Sequence, residues 1–146
     1  MKKLILFVAL AASAAHAQPA ADTAGIRAAA MDYIEGWYTG DAPRMERALH
    51  PELAKRIVTT DEKTGQSHLG QMSAMTLVNN TRAGGGTKTP TERRREAFRI
   101  LDIYRDNAVA RIDASDWIDY LELARWNGQW KIVNVLWALT PKDENR

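Results

Sequence analysis

Apolar residues recur with a helical period along the first third of the chain. Ile26, Ala30, Tyr33, Ile34 and Trp37 fall on one stripe, which predicts a helix over residues 23–39. Asp22 or Thr23 suits its N-cap, and Gly40 stands where a left-handed residue can end it. Asp41 suits the N-cap of a short second helix that accepts Pro43 in its first turn and turns Met45 and Leu49 inward. His50-Pro51 closes that helix, because the residue before proline avoids the α region. Residues 53–60 fit helix or strand, and their β-branched run at 57–60 favours strand. Residues 61–65 are turn material and 66–69 can return as a hairpin arm. Ser73 suits the N-cap of a third helix, with Met72 and Leu77 as a hydrophobic staple, ending before Gly84-Gly85-Gly86. Residues 83–91 read as a mobile surface loop, and the mixed charges of 92–96 as a solvated approach to a strand or helix.

From residue 96 the pattern turns to alternation. Strands are predicted near 96–105, 107–116, 118–127 and 129–139, with turns at Asp106-Asn107 and Asn127-Gly128. Strands so closely linked pair as an antiparallel meander. Helices followed by a meander give an α+β domain, three helices packed on one face of a bent antiparallel sheet. The last strand alternates poorly: Trp130, Ile132, Asn134 and Leu136 point one way, and Lys131, Val133, Val135 and Trp137 the other. Both faces being largely apolar, a bulge shifts the register or a second subunit covers the outer face; a homodimer is the favoured expectation.

The first residues add a different signal. Lys2 and Lys3 precede an apolar run from 4 to 12, and Ala15-His16-Ala17 is a small-x-small cleavage site. Residues 1–17 are thus expected to be a cleaved signal peptide and 18–146 a single domain, periplasmic or secreted. The apolar run is far short of the ~20 residues of a membrane span, so no membrane association is expected after cleavage. The signal would take two of the 20 Lys+Arg and none of the 18 Asp+Glu, leaving no net charge. A neutral chain offers no electrostatic case for nucleic acid. Cys is absent, and His50 and His68 are the imidazoles left after cleavage, so no metal site and no cofactor are expected.

The segments from Asp32 to Tyr38, Gly40-Asp41, and Leu49 to Arg56 resemble the opening of the putative lumazine-binding family, a branch of the nuclear-transport-factor-2-like superfamily. The segments from Asp116 to Leu121 and from Trp130 to Trp137 are similar to its closing strands, and Thr81 to Gly86 to one of its loops. The resemblance implies a cone, a strongly curved sheet wrapped around helices with a pocket open at one end. It implies no particular reaction, since the superfamily includes isomerases, cyclases, dehydratases and members that only bind or scaffold.

Five tryptophans, Trp37, Trp117, Trp126, Trp130 and Trp137, can pack a core or wall a pocket for a flat organic ligand. Tyr33 and Trp37 lie one turn apart on the first helix, and His50 at the end of the second is a titratable group that could overhang the same cavity. Arg56 could receive a ligand carboxylate bidentately. The ligand-binding candidates are therefore Tyr33, Trp37, His50, Arg56, Trp117 and Tyr120. Asp102, Asp113 and Asp119 are strand acids; the catalytic candidates are His50 and Asp113, as an acid/base pair. The leading expectation is an exported domain that binds a small organic molecule in an apolar pocket. The alternatives are a cofactor-free isomerase, dehydratase or cyclase, and a dimeric interaction module without a ligand.

Overall fold

The computed structural model describes residues 14–141. The chain runs α1 (Ala14–Thr39), α2 (Ala42–Ala48), β1 (Leu49–Thr60), β2 (Ser67–Ser73), α3 (Ala74–Arg82), a short 3-10 turn (Thr91–Arg93), β3 (Glu96–Tyr104), β4 (Asn107–Ala114), β5 (Trp117–Trp126) and β6 (Gln129–Leu139). Residues 1–12, the expected positive and apolar parts of the signal, lie outside the described residues. α1 starts well before residue 23, the alanines ahead of Ile26 having the helix propensity to extend it. Asp22 is therefore no N-cap: it is buried inside α1, and Arg125 pairs with it.

The N-caps of the other two helices follow the expected chemistry, whereas the second helix ends at Ala48, before His50, and Leu49 opens β1. Asp41 caps α2, its Oδ1 accepting from Arg44 N–H at 3.0 Å. Ser73 caps α3, its Oγ accepting from Thr76 N–H at 3.2 Å. Gly40 takes φ +72° after α1, the left-handed conformation that glycine adopts without strain. Ile26, Ala30 and Ile34 of α1 are fully buried. Full burial of each isoleucine stabilises by about 1.5–3 kcal/mol.

The sheet has six strands in the order β2-β1-β6-β5-β4-β3. β3 to β6 form the expected meander, and β1 and β2 an antiparallel hairpin. β1, however, runs parallel to β6, so the sheet is mixed and not wholly antiparallel. The chain passes through β2, α3 and the meander before it returns beside β1, and so long a crossover lets the two strands run in the same direction. Ala108, Ala110, Ile112, Ala114, Leu121, Leu123, Ile132 and Val135 turn to the helices and form the core with α1, α2 and α3.

Three register breaks bend the sheet and decide which side chains face inward. Leu101 is an extra residue in β3 and Val133 in β6. Residues 50–53 bulge from β1, where Pro51 has no N–H for the ladder. The Val133 bulge accounts for the poor alternation of β6. Trp130 and Ile132 face inward before it, Val135 and Trp137 after it. The apolar set Val133, Val135 and Trp137 is therefore not an outer face, because Val135 is buried and Trp137 packs against the core.

Candidate functional site

Between α1, β1, the start of β5 and the end of β6 lies a cavity of about 250 Å³. Its aromatic walls are Tyr33 and Trp37 from α1, Trp117 from β5 and Trp137 from β6. Met45, Met72, Leu77 and Leu139 complete the apolar lining, and Leu139, largely exposed, stands at the rim. Trp37 and Trp117 meet edge to face, centroids 6.5 Å apart at 85°. Among the described residues Lys55 is the one charged side chain lining the cavity.

Lys55 reaches it from β1 because residue 55 pairs with Val135 and Met72, both inward-facing. Its ammonium donates to Asp119 Oδ1 at 2.7 Å and to the Tyr33 hydroxyl at 2.6 Å. Tyr33 in turn donates to Asp119 Oδ2 at 2.9 Å, and Trp117 Nε1 donates to the same oxygen at 2.7 Å. The Lys55 nitrogen also lies 4.9 Å from the Trp137 ring centroid and 5.3 Å from that of Tyr33. Asp119 is fully buried and Lys55 nearly so. Burial, and after it the Asp119 carboxylate, hold the Tyr33 hydroxyl well above its ordinary range. Burial pulls the Lys55 ammonium below its ordinary range, and Asp119 works against that shift.

Trp37 is held from behind by the glycine loop. A Cβ at Gly85 would overlap the Trp37 ring, and one at Gly86 would stand 2.5 Å from its Cδ1. The segment expected to be a mobile loop is thus a support packed against a wall of the cavity.

The structure brings together three of the expected ligand-binding residues, Tyr33, Trp37 and Trp117. It sends the others elsewhere. His50 lies in β1, in the bulge at Pro51, where its ring packs edge-on against Trp126 at 4.7 Å and its Nδ1 accepts from Glu52 N–H at 3.2 Å. The second helix ends at Ala48, so His50 neither ends it nor overhangs the cavity. Arg56, next to Lys55, points to the opposite face by strand alternation and bonds Gln71. Tyr120 is exposed on that outer face, its hydroxyl accepting from Arg111 at 3.2 Å. Asp113 alternates with buried Ile112 and Ala114, and is taken up by Arg111 at 2.5 Å and Arg99 at 3.8 Å. β6 and β5 stand between the strands of His50 and Asp113, so the two form no acid/base pair.

Sequence reasoning missed Lys55 as a cavity residue and did not connect Asp119 to it. Asp119 carried a readable signal: it alternates with the apolar Leu121 and Leu123 and shares their face. Lys55 carried none, because the bulge at Pro51 breaks the alternation leading to it. Among the described residues no group of three or more His, Cys, Asp or Glu comes together to hold a metal ion.

Helices held in the hollow of a bent six-stranded sheet, with a pocket between them, define a nuclear-transport-factor-2-like domain. Solved structures share this fold. A nuclear-transport-factor-2-like protein of unknown function from Shewanella baltica OS155 is 20% identical, with a TM-score of 0.64, covering 84% of this chain and 97% of that one. One with a cystatin-like fold from Novosphingobium aromaticivorans is 13% identical, with a TM-score of 0.65, covering 88% of each chain. A hexachlorocyclohexane dehydrochlorinase, type 2, is 12% identical, with a TM-score of 0.55, covering 86% and 90%. The chain belongs to the family described as "Putative lumazine-binding", which matches residues 21–138. A comparison with curated proteins returns no match.

Proposed function

We propose that this chain binds a small, partly apolar organic molecule between α1 and the sheet. The observation that carries this reading is the cavity itself: about 250 Å³ walled by three tryptophans and a tyrosine. An interaction module without a ligand would have its side chains collapsed into that space, since protein interiors close-pack. The acid/base alternative lacks its proposed pair, as His50 and Asp113 stand apart. The dehydrochlorinase of the same fold is named for an uncharged apolar substrate; at 12% identity it lends the reading only a fold-level analogy. Export after cleavage at Ala17 and pairing into a homodimer complete the proposal.

Saturation-transfer NMR with ethylbenzene as probe tests the cavity. Transfer from the protein to ethylbenzene is expected in the natural chain and is expected to vanish in Met72→Trp, which fills the space from the exposed strand β2. No transfer up to the solubility limit, or equal transfer in the variant, would overturn the reading.

A further inference from the structure

We infer that the cavity selects uncharged flat molecules carrying one hydrogen-bond acceptor, of the aryl ketone or aldehyde type, whose oxygen takes the third N–H of Lys55. This inference rests on the binding reading and sharpens it. The argument is an inventory of charge and of donors. An ammonium has three N–H groups, and Lys55 spends two, on Asp119 and on the Tyr33 hydroxyl. The third has ring faces alone, with the Trp137 centroid 4.9 Å and the Tyr33 centroid 5.3 Å from the nitrogen. A carbonyl oxygen is a stronger partner for it than a ring face.

Of the other polar atoms at the site, the indole N–H of the cavity-lining Trp137 is a second donor, buried without a hydrogen-bond partner among the described residues, and the rest have little left to offer. Asp119 accepts from Lys55 on one oxygen and from Tyr33 and Trp117 on the other. Tyr33 has already given its only proton to Asp119. The site therefore donates and does not look for a donor, and it fits a ligand with an acceptor and no need of one in return. Charge decides the rest. Lys55 and Asp119 neutralise each other, and no other charged side chain of the described residues lines the cavity. A carboxylate ligand would bring an unbalanced negative charge among three tryptophans, at a large desolvation penalty. A neutral carbonyl brings none. The volume suits one or two rings, and the indole walls favour flat ones.

Three probes with a common ring separate the possibilities: ethylbenzene without an acceptor, acetophenone with a neutral one, and benzoate with an anionic one. Acetophenone is expected to bind at least tenfold tighter than benzoate at pH 7. Its carbonyl stretch on the natural protein is expected at lower frequency than in hexane. In Lys55→Met the ratio of acetophenone to ethylbenzene affinity is expected to fall about tenfold. Should that variant fail to fold, Trp137→Phe, which removes the other unpartnered N–H of the cavity, takes its place: the lowered carbonyl frequency is expected to persist there, and its return to the hexane value would overturn the assignment to Lys55. If ethylbenzene binds but the acetophenone stretch stays at its hexane value, the binding reading stands and this inference falls. Benzoate binding tightest also overturns it. If no probe binds, both fall.

Discussion

At the residue scale, Asp119 is the most heavily committed side chain of the site. Three donors converge on its carboxylate from α1, β1 and β5, and none of its surface reaches solvent. A buried ion pair adds little net stability, because desolvation offsets the attraction, yet removing one partner strands the other. Asp119→Asn is therefore expected to cost about 3–5 kcal/mol, chiefly by leaving Lys55 without its counter-charge. Adding Lys55→Met should recover more than half of that loss, since the methionine needs no partner. Urea unfolding of the two variants and the natural chain measures this. A cost below about 1 kcal/mol, the worth of an ordinary hydrogen bond, would show that the pair is not coupled as described.

At the element scale, the glycine loop and the strand bulges do the positioning. Gly85 lies against the Trp37 ring and has no positive φ, so alanine fits its backbone but not its surroundings. Gly85→Ala should drive the Trp37 ring toward the cavity. Probe affinity is expected to fall about tenfold, ~1.4 kcal/mol, and stability by about 1–3 kcal/mol from overpacking. Unchanged affinity for ethylbenzene in a folded variant, followed by NMR titration, would refute this role. The helices were legible by residue: the stripe from Ile26 to Trp37 and the caps Asp41 and Ser73 are local chemistry. So were the four meander strands, bounded by turns such as Asn127-Gly128, both residues at positive φ. The bulges were not. Val133 looks like any strand valine, and only the pairing of Leu123 with Ile132 and Glu122 with Asn134 singles it out.

At the scale of the whole molecule, the bulge moves the dimer proposal to other residues. Trp137 lines the cavity, so Trp137→Ala should affect binding in place of association. The outer face still carries exposed apolar side chains, Val58, Leu69, Tyr120 and Leu136, and register places Leu136 between Arg56 and Tyr120. Leu136→Glu is expected to weaken self-association without loss of fold, as read by sedimentation velocity. A natural chain that stays monomeric from micromolar to millimolar concentration would remove the proposal. Export makes a separate demand. Intact-mass analysis of secreted material should show a chain starting at Gln18, whose first residue lies inside α1; a chain retaining Met1 would refute processing.

By itself the sequence determined what depends on neighbours along the chain: the period of α1, two helix caps, the hairpin turns, the meander and the presence of aromatic side chains enough to wall a pocket. Those features follow from backbone geometry within a few residues, and they survive whatever the rest of the molecule does. Tertiary structure decided everything that depends on facing. The parallel pairing of β1 with β6 brings Lys55 of β1 beside Asp119 of β5, 64 residues away. The bulge at Pro51 takes His50 out of the site, and the one at Val133 turns Trp137 into it. A strand's side chains change face with every residue of register, so one extra residue reassigns a whole face, and register is set by partners distant in the chain.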